Sequence, residues 1–280
     1  MTEASLRFVP ASSLSLEAFA AAFNEGFVGY HRTLTTDAEK ISRLGRLYQH
    51  DLHHSIVAYE GERVAGMAVL AIRGAAGWCG GFGVSPSMRG RGVGRRLLSA
   101  LLDSARAAGV RKLSLEVSAL NPVARRLYES AGMRVTRDLL LMDRAAEGGP
   151  GGLKFEGGAL EEAEPRELLA HFARLHVAAP AWQRDLPVML AGLARGLRLG
   201  TREGTRAYAL LSAGADADVY VTDLAAAGAA DAEELAAALA RQVAGRLRVV
   251  NEPEESLFVA PLVASGFAVY ERQHEMKIEL

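Results

Sequence analysis

The chain of 280 residues has a single cysteine, Cys79. That scarcity excludes an internal disulfide framework and fits a reducing compartment, with a buried, inert thiol the expected state of Cys79. Net charge is equally scarce. Thirty-two basic residues against 33 acidic ones leave a formal charge of -1, so no global field draws the protein to nucleic acid or to a membrane surface, and any anion site must be local. No apolar run approaches the roughly 18 residues needed to span a bilayer, and the first ten residues lack the charged-then-hydrophobic order of a secretory leader. The expectation is a soluble, cytoplasmic protein. Lysine occurs at positions 40, 112, 154 and 277 only, so arginine carries most of the positive charge; genome composition alone can produce that bias, and no function is drawn from it.

What the chain does have is apolar bulk. Half its residues are hydrophobic, enough for one large core or two ordinary ones, and two is the expectation at this length. The run Ala146-Glu147-Gly148-Gly149-Pro150-Gly151-Gly152 offers almost no side chains for packing and opposes both helix and sheet continuation. It marks a linker over residues 146–152 between a domain at 1–145 and another at 153–280.

In the first domain, residues 16–27 and 38–49 read as helices, and 55–59 and 64–72 as hairpin strands around a turn at 60–63, followed by a strand at 77–84. Val93, Leu97, Leu98, Leu101, Leu102 and Ala105 then share one face of an amphipathic helix that Gly109 is placed to end. Residues 113–117 alternate, with Leu113, Leu115 and Val117 on one side and Ser114 and Glu116 on the other. A short helix follows from Pro122, with Asn121 as N-cap and Gly132 as its stop, and 133–142 is a last strand. The fold class is α+β, with at least one strand–helix–strand crossover. Beyond the linker, helices are expected at 165–176, 232–244 and 254–265, and strands at 206–211, 218–224, 246–250 and 267–278. A shift of 134 residues places Gly132 on Gly266, Met133 on Phe267, Leu113 on Leu247 and Leu115 on Val249, which indicates an internal duplication.

The segment from Val84 to Leu97 carries the strongest chemical signal: a strand, a glycine-rich turn with Arg89, Gly90, Arg91, Gly92, Val93, Gly94, Arg95 and Arg96, and a helix start. Backbone N–H groups unobstructed by Cβ atoms can converge there on a phosphate at a helix N-terminus. No Gly-Lys-Ser/Thr ending is present, which excludes the nucleoside-triphosphate loop, and neither Gly90 nor Gly92 is followed by glycines at the spacing of a dinucleotide fingerprint. His50, Asp51, His53 and His54 sit at a helix-to-strand junction without a fourth convergent ligand, so they read as surface or packing groups and no metal is expected.

Arg89, Gly92 and Gly94 resemble the Arg/Gln-x-x-Gly-x-Gly/Ala pyrophosphate loop of the GNAT superfamily of acyl-CoA N-acyltransferases. Leu115-Glu116-Val117, Asn121, Ala124, Leu127-Tyr128 and Gly132-Met133 resemble its downstream motif, with Met133 where phenylalanine is usual. The resemblance covers about residues 55–144. It implies that each domain is a mixed, mostly antiparallel sheet flanked by helices, and that a pantetheine arm lies between Phe82-Gly83-Val84 and residues 115–117, the glycine-rich run from Gly80 to Gly83 suiting a bulged, ligand-facing strand. It further implies that the Val84 N–H binds the thioester carbonyl, that Asn121 helps to hold coenzyme A, and that Tyr128 is the general acid, for which a phenol is loaded at neutral pH. A packing tyrosine on a face with Ala124, Leu127 and Ala131 is the alternative. Glu116 matches the base of the alanine N-acetyltransferases, against a solvated or salt-bridged glutamate. Tyr30, His31 and Asp37 fall in the region that shapes the acceptor pocket.

At the 134-residue shift Arg89 falls on Asp223, Gly92 on Ala226, Tyr128 on Leu262 and Glu116 on Val250, so the second domain reads as a degenerate GNAT-like copy without a coenzyme A site. The implied function is transfer of an acetyl group from acetyl-CoA, as cosubstrate, to a primary amine by direct attack in a ternary complex. A small-molecule acceptor is expected because two-copy members such as mycothiol synthase act on amino sugars. A protein N-terminus or lysine, or a non-catalytic acyl-CoA sensor, are the alternatives. No nucleic acid or membrane partner is expected, and the protein is a monomer or homodimer.

Overall fold

The structure is a computed structural model that describes residues 6–32, 34–145, 158–192, 194–214 and 218–280. The chain forms two compact units, one ending at Thr136 and completed by Glu275–Leu280, the other running from Arg137 to His274. The expected linker at 146–152 lies outside the described residues. Two long strands each serve both units: Arg134–Arg144 starts in unit 1, and Ala268–Glu279 returns its end to unit 1.

In unit 1 the order along the chain is β1 (Leu6–Pro10), α1 (Leu16–Gly26), α2 (Ala38–Tyr48), β2 (Ile56–Glu60), β3 (Arg63–Arg73), β4 (Ala76–Val84), α3 (Val93–Ala107), β5 (Lys112–Ser118), α4 (Pro122–Ser130) and the start of β6 (Arg134–Arg144). Strands β1 to β4 are antiparallel neighbours and β5 joins β4 in parallel. The last residues of the C-terminal strand lie beside β5. Side chains of α1 and α2 (Phe19, Ala22, Ile41) pack on Val57, Met67 and Val69, whereas those of α3 (Leu97, Leu98, Leu101) pack on Ala68, Leu70, Leu113 and Leu115. Because β3 is covered on both faces, it reads as a continuous apolar run rather than an alternating one. The helices start where the sequence supplies caps: Ser15 accepts from Ala18 N at 3.2 Å, Asp37 from Lys40 N at 2.7 Å, and Asn121 from Ala124 N at 3.1 Å.

Unit 2 contains the rest of β6, β7 (Leu160–Ala163), α5 (Pro165–Leu169), α6 (Phe172–Leu175), α7 (Leu186–Ala191), β8 (Arg195–Gly200), β9 (Thr205–Ala213), β10 (Val219–Ala226), α8 (Ala229–Gln242), β11 (Leu247–Pro253), α9 (Val259–Ala264) and the start of β12 (Ala268–Glu279). Leu235, Ala236 and Leu239 of α8 cover Leu211, Val221, Leu247 and Val249. The helix expected at 165–176 is two short ones, α5 and α6. The helix expected at 254–265 starts five residues later, which keeps Pro261 in the first turn, where its missing N–H costs no hydrogen bond. Strands β1, β7 and β8 and helix α7 have no counterpart in the sequence reading.

Candidate active site

Strands β4 and β5 pair from Ala76↔Lys112 to Cys79↔Leu115, and there the pairing stops. Beyond that point β4 continues to Val84 and β5 to Ser118, so the two open a wedge. The divergence starts at a bulge in β4, where Gly81 pairs with Val69 and Cys79 with Leu70, leaving Gly80 as the extra residue. The glycines here answer to the protein's own packing rather than to a ligand. A Cβ on Gly80 would meet the Trp78 ring at 2.5 Å, one on Gly81 the Phe23 ring at 3.1 Å, and one on Gly83 the backbone of Gly26 at 2.8 Å.

Val84 ends the wedge. Gly66 and Val84 face each other, and Ser85 N–H donates to Ala65 O at 3.0 Å, so the alternation of an antiparallel ladder turns the N–H and C=O of Val84 away from β3, toward the wedge. The chain then makes one 3-10 turn at Pro86–Met88, with Met88 buried, and enters α3 through Gly90 and Gly92. Both glycines are left-handed, at φ 73 and 76, and no atom lies within 4 Å of where their Cβ atoms would stand. Gly92, the N-cap, provides no side-chain acceptor, so the first-turn N–H groups of α3 point outward without intrahelical partners, with the positive end of the helix dipole behind them. Gly94 lets α3 approach Leu127 of α4, whose Cδ2 is 3.3 Å from the Cβ position.

The arginines of this loop differ in what they hold. Arg89 donates from Nε to Val84 O at 2.9 Å and from Nη2 to Val28 O at 2.6 Å, tying the loop to the segment after α1. Arg91 pairs with Glu60, and Arg96 lies over the Phe8 ring. Arg95 is exposed on the first turn of α3.

Tyr128 lies edge-on to Phe82, their centroids 5.7 Å apart, and is 5% exposed. Burial, reinforced by nearby Cys79 and Tyr30, pushes its phenol well above the ordinary value, so it holds its proton at neutral pH. Its hydroxyl has no hydrogen-bond partner among the described residues. Burial likewise pushes the Cys79 thiol up to about 12, which removes it as a nucleophile.

Glu116 points to the opposite face of β5, toward α1 and α2. Trp78 Nε1–H donates to its Oε2 at 2.8 Å, a bond between residues 38 apart that no sequence motif announces. The Tyr48 ring packs edge-on to Trp78 at 5.7 Å, and His50 lies 6.2 Å from the same indole. Burial lowers the His50 imidazole to about 4, and neither ring nitrogen has a hydrogen-bond partner; it is a neutral packing group. His54 bonds Asp51 at 3.0 Å, and among the described residues no three His, Cys, Asp or Glu side chains converge to hold a metal ion. His31 reaches Ser118 at 3.4 Å and stacks near Tyr30. Asp37 caps α2. Asn121 likewise spends its side-chain oxygen capping α4.

Unit 2 repeats the strand pair without the loop. Val219↔Leu247 and Val221↔Val249 pair as Gly77↔Leu113 and Cys79↔Leu115 do, and β10 is bulged between Val221 and Asp223. Gly132 and Gly266, at φ 93 and 88, end the following helices alike. The 134-residue shift thus holds from β5 onward but fails before it. The eight residues Ser85–Gly92 between β4 and α3 are answered by only Ala227 and Gly228 between β10 and α8. Asp223 is therefore the counterpart of Gly81, a strand residue, and not of Arg89; Ala226 is the counterpart of Val84, and not of Gly92. Asp231 stands in the first turn of α8, where it satisfies the helix dipole and opposes a phosphate.

Among the described residues no helix is long and apolar enough to cross a membrane. The model of the acetyltransferase (GNAT) family matches residues 16–133. An uncharacterised N-acetyltransferase, YycN of Bacillus subtilis (strain 168), is 47% identical over 55 residues, which are 20% of this chain and 35% of that protein; the match thus spans about a third of the relative's length. Similar solved structures include a GCN5-related N-acetyltransferase from Sphaerobacter thermophilus, 15% identical, with a TM-score of 0.69 over 98% of this chain and 95% of that one. A tandem GNAT protein from the clavulanic acid biosynthesis pathway, 16% identical, has a TM-score of 0.65 over 98% of each chain. At those identities the structures speak for the fold, and the family match speaks for unit 1. Residues 16–133 thus match the acetyltransferase (GNAT) family, and the chain as a whole has a fold like that of the tandem GNAT protein.

Proposed function

We propose that unit 1 transfers an acetyl group from acetyl-CoA to a primary amine of a small molecule, by direct attack within a ternary complex. The observation that carries this reading is the succession along one stretch of chain of a strand wedge, an inward-facing Val84 N–H, two unobstructed left-handed glycines and the uncapped N-terminus of α3. A pantetheine arm fits the wedge as a strand would. The diphosphate fits the amides of residues 90–95, with Arg95 nearby. Val84 N–H then stabilises charge developing on the thioester oxygen, and Tyr128 gives its proton to the departing thiolate. The high thiol value of Cys79 speaks against an acyl-cysteine intermediate.

Glu116 is the carboxylate in position to receive the amine. Its bond from Trp78 fixes the carboxylate in place, which suits holding an ammonium and relaying its proton. Aromatic groups near the carboxylate support a small acceptor: Tyr48 packs edge-on to Trp78, Trp78 bonds Glu116, and His31 reaches Ser118.

The test is thiol release from acetyl-CoA across panels of small amines and of peptides, alongside calorimetry with coenzyme A. Turnover with at least one small amine is expected. Coenzyme A binding without turnover on any amine would make the protein an acyl-CoA sensor, peptide-only turnover would move the acceptor class, and no heat with coenzyme A would remove the whole reading.

A further inference from the structure

Arg89 spans two parts of unit 1 that lie 61 residues apart in sequence: its Nε donates to Val84 O at 2.9 Å and its Nη2 to Val28 O at 2.6 Å. Val84 ends β4, and Val28 belongs to the turn that follows α1. In that turn Gly29 is left-handed at φ 73, and the place its Cβ would take is 3.7 Å from Arg89 Nη1, so a third nitrogen lies against the same turn. The turn carries Tyr30 and His31 to the open part of the wedge. The Tyr30 ring lies 5.6 Å from Phe27 and 4.2 Å from His31, and His31 Nε2 lies 3.4 Å from Ser118 Oγ. Ser118 ends β5 two residues beyond Glu116, and so on the same strand face. Tyr30 is also near enough to Tyr128 to help hold its phenol protonated. The turn thus stands beside both groups that the acetyl transfer would use.

A phosphate ligand and a strut make opposite demands on a guanidinium. A ligand must turn its N–H groups outward to the anion. Here Nε and Nη2 are committed to two main-chain carbonyls, and turning them away would take from each carbonyl a charge-assisted donor. The diphosphate does not require them: the first-turn amides of α3 and its dipole face outward, and Arg95 is exposed beside them. The planar fork of arginine holds two carbonyls in a fixed geometry, whereas the compact ammonium of lysine would keep the charge and lose that geometry.

We propose that Arg89 is a positioning residue, a strut that sets the turn bearing Tyr30 and His31 on the coenzyme loop, and not a ligand of the diphosphate. Because Arg89 belongs to that loop, fixing the loop also fixes the turn, and coenzyme A and the amine bind with positive coupling. The coupling rests on the acetyl-transfer reading of unit 1; the strut does not.

The experiment compares the full chain with Arg89→Ala and Arg89→Lys. Hydrogen exchange of the free protein needs no ligand: the amides of Val28 and Tyr30, bonded to Glu25 O and Phe27 O, should exchange at least about tenfold faster in both variants, while those of α3 keep their protection. Should α3 lose protection in Arg89→Ala, Arg89→Lys provides the reading. Calorimetry with coenzyme A should give a Kd within about threefold of the parent's. With an amine that the parent turns over, the amine KM should rise about five- to a hundredfold while the acetyl-CoA KM holds. Unchanged exchange at Val28 and Tyr30 would overturn the proposal. So would a coenzyme A Kd raised about tenfold or more in Arg89→Ala, above all if Arg89→Lys restored it, since that is the mark of a phosphate contact made through charge. If the parent binds no coenzyme A, the acetyl-transfer reading falls, and hydrogen exchange still decides whether Arg89 is the strut.

Discussion

In unit 1 the diverging parallel strands β4 and β5 lead through eight residues, two of them left-handed glycines, to an uncapped helix; in unit 2 the equivalent strands β10 and β11 diverge at the same register, but two residues connect to a helix with aspartate in its first turn. The wedge survives in both because it arises from a bulge and from helices packed on the apolar face, which depend on burial. The proposed anion site depends on local backbone conformation alone, so it can be lost without harm to the sheet. Fold and chemistry are thus separately encoded, and the diverging strands of unit 2 carry Asp223 and Glu252, both within reach of Arg184.

The sharpest way to break the comparison is to remove residues 275–280, which belong to unit 1 although they end the chain. Met276 is fully buried, Ile278 is the nearest neighbour of Gly132, and Leu280 N–H donates to Arg111 O at 2.9 Å. Their deletion should cost unit 1 more than about 4 kcal/mol, read as a large drop in its thermal transition; an unchanged melting curve would contradict the division into these units. For the same reason a fragment ending at the linker lacks the strand beside β5. Next in size, Tyr128→Phe should lower kcat roughly 10²- to 10⁴-fold with little change in coenzyme A affinity, whereas Leu262→Tyr, the mirror change in unit 2, should leave kcat unaltered. If Tyr128→Phe retains full turnover, the tyrosine is a packing residue.

A smaller effect distinguishes the units by pH. His50 has an ordinary value of 6.5, lowered to about 4 by burial. Between those values the unfolded chain binds a proton that the folded imidazole excludes, so stability declines as pH falls through this window, by up to about 3 kcal/mol. Denaturant titrations at pH 7 and pH 4 should show the loss in unit 1, and His50→Leu should flatten it.

Helix α3, the alternation of β5 and the capped start of α4 were legible because burial on one face imposes a period on neighbouring residues, and the glycine loop was legible because left-handed turns demand glycine at fixed places. Strands β1, β7 and β8 were not: each is short, and none sustains an alternation of apolar and polar residues long enough for a period to emerge. The alignment of Arg89 with Asp223 failed because a single shift cannot represent a loop shortened between two matching elements.

The order of residues was enough to point to the α+β pattern, the glycine turn and the family that residues 16–133 match, since all three rest on spacing within a few dozen residues. Folding in three dimensions settled which carboxylate has a donor, which arginines are already engaged, and which unit owns the C-terminus. Those depend on side chains brought together from distant segments, Trp78 with Glu116 and His176 with Asp223 and Arg184, and no local period records such meetings.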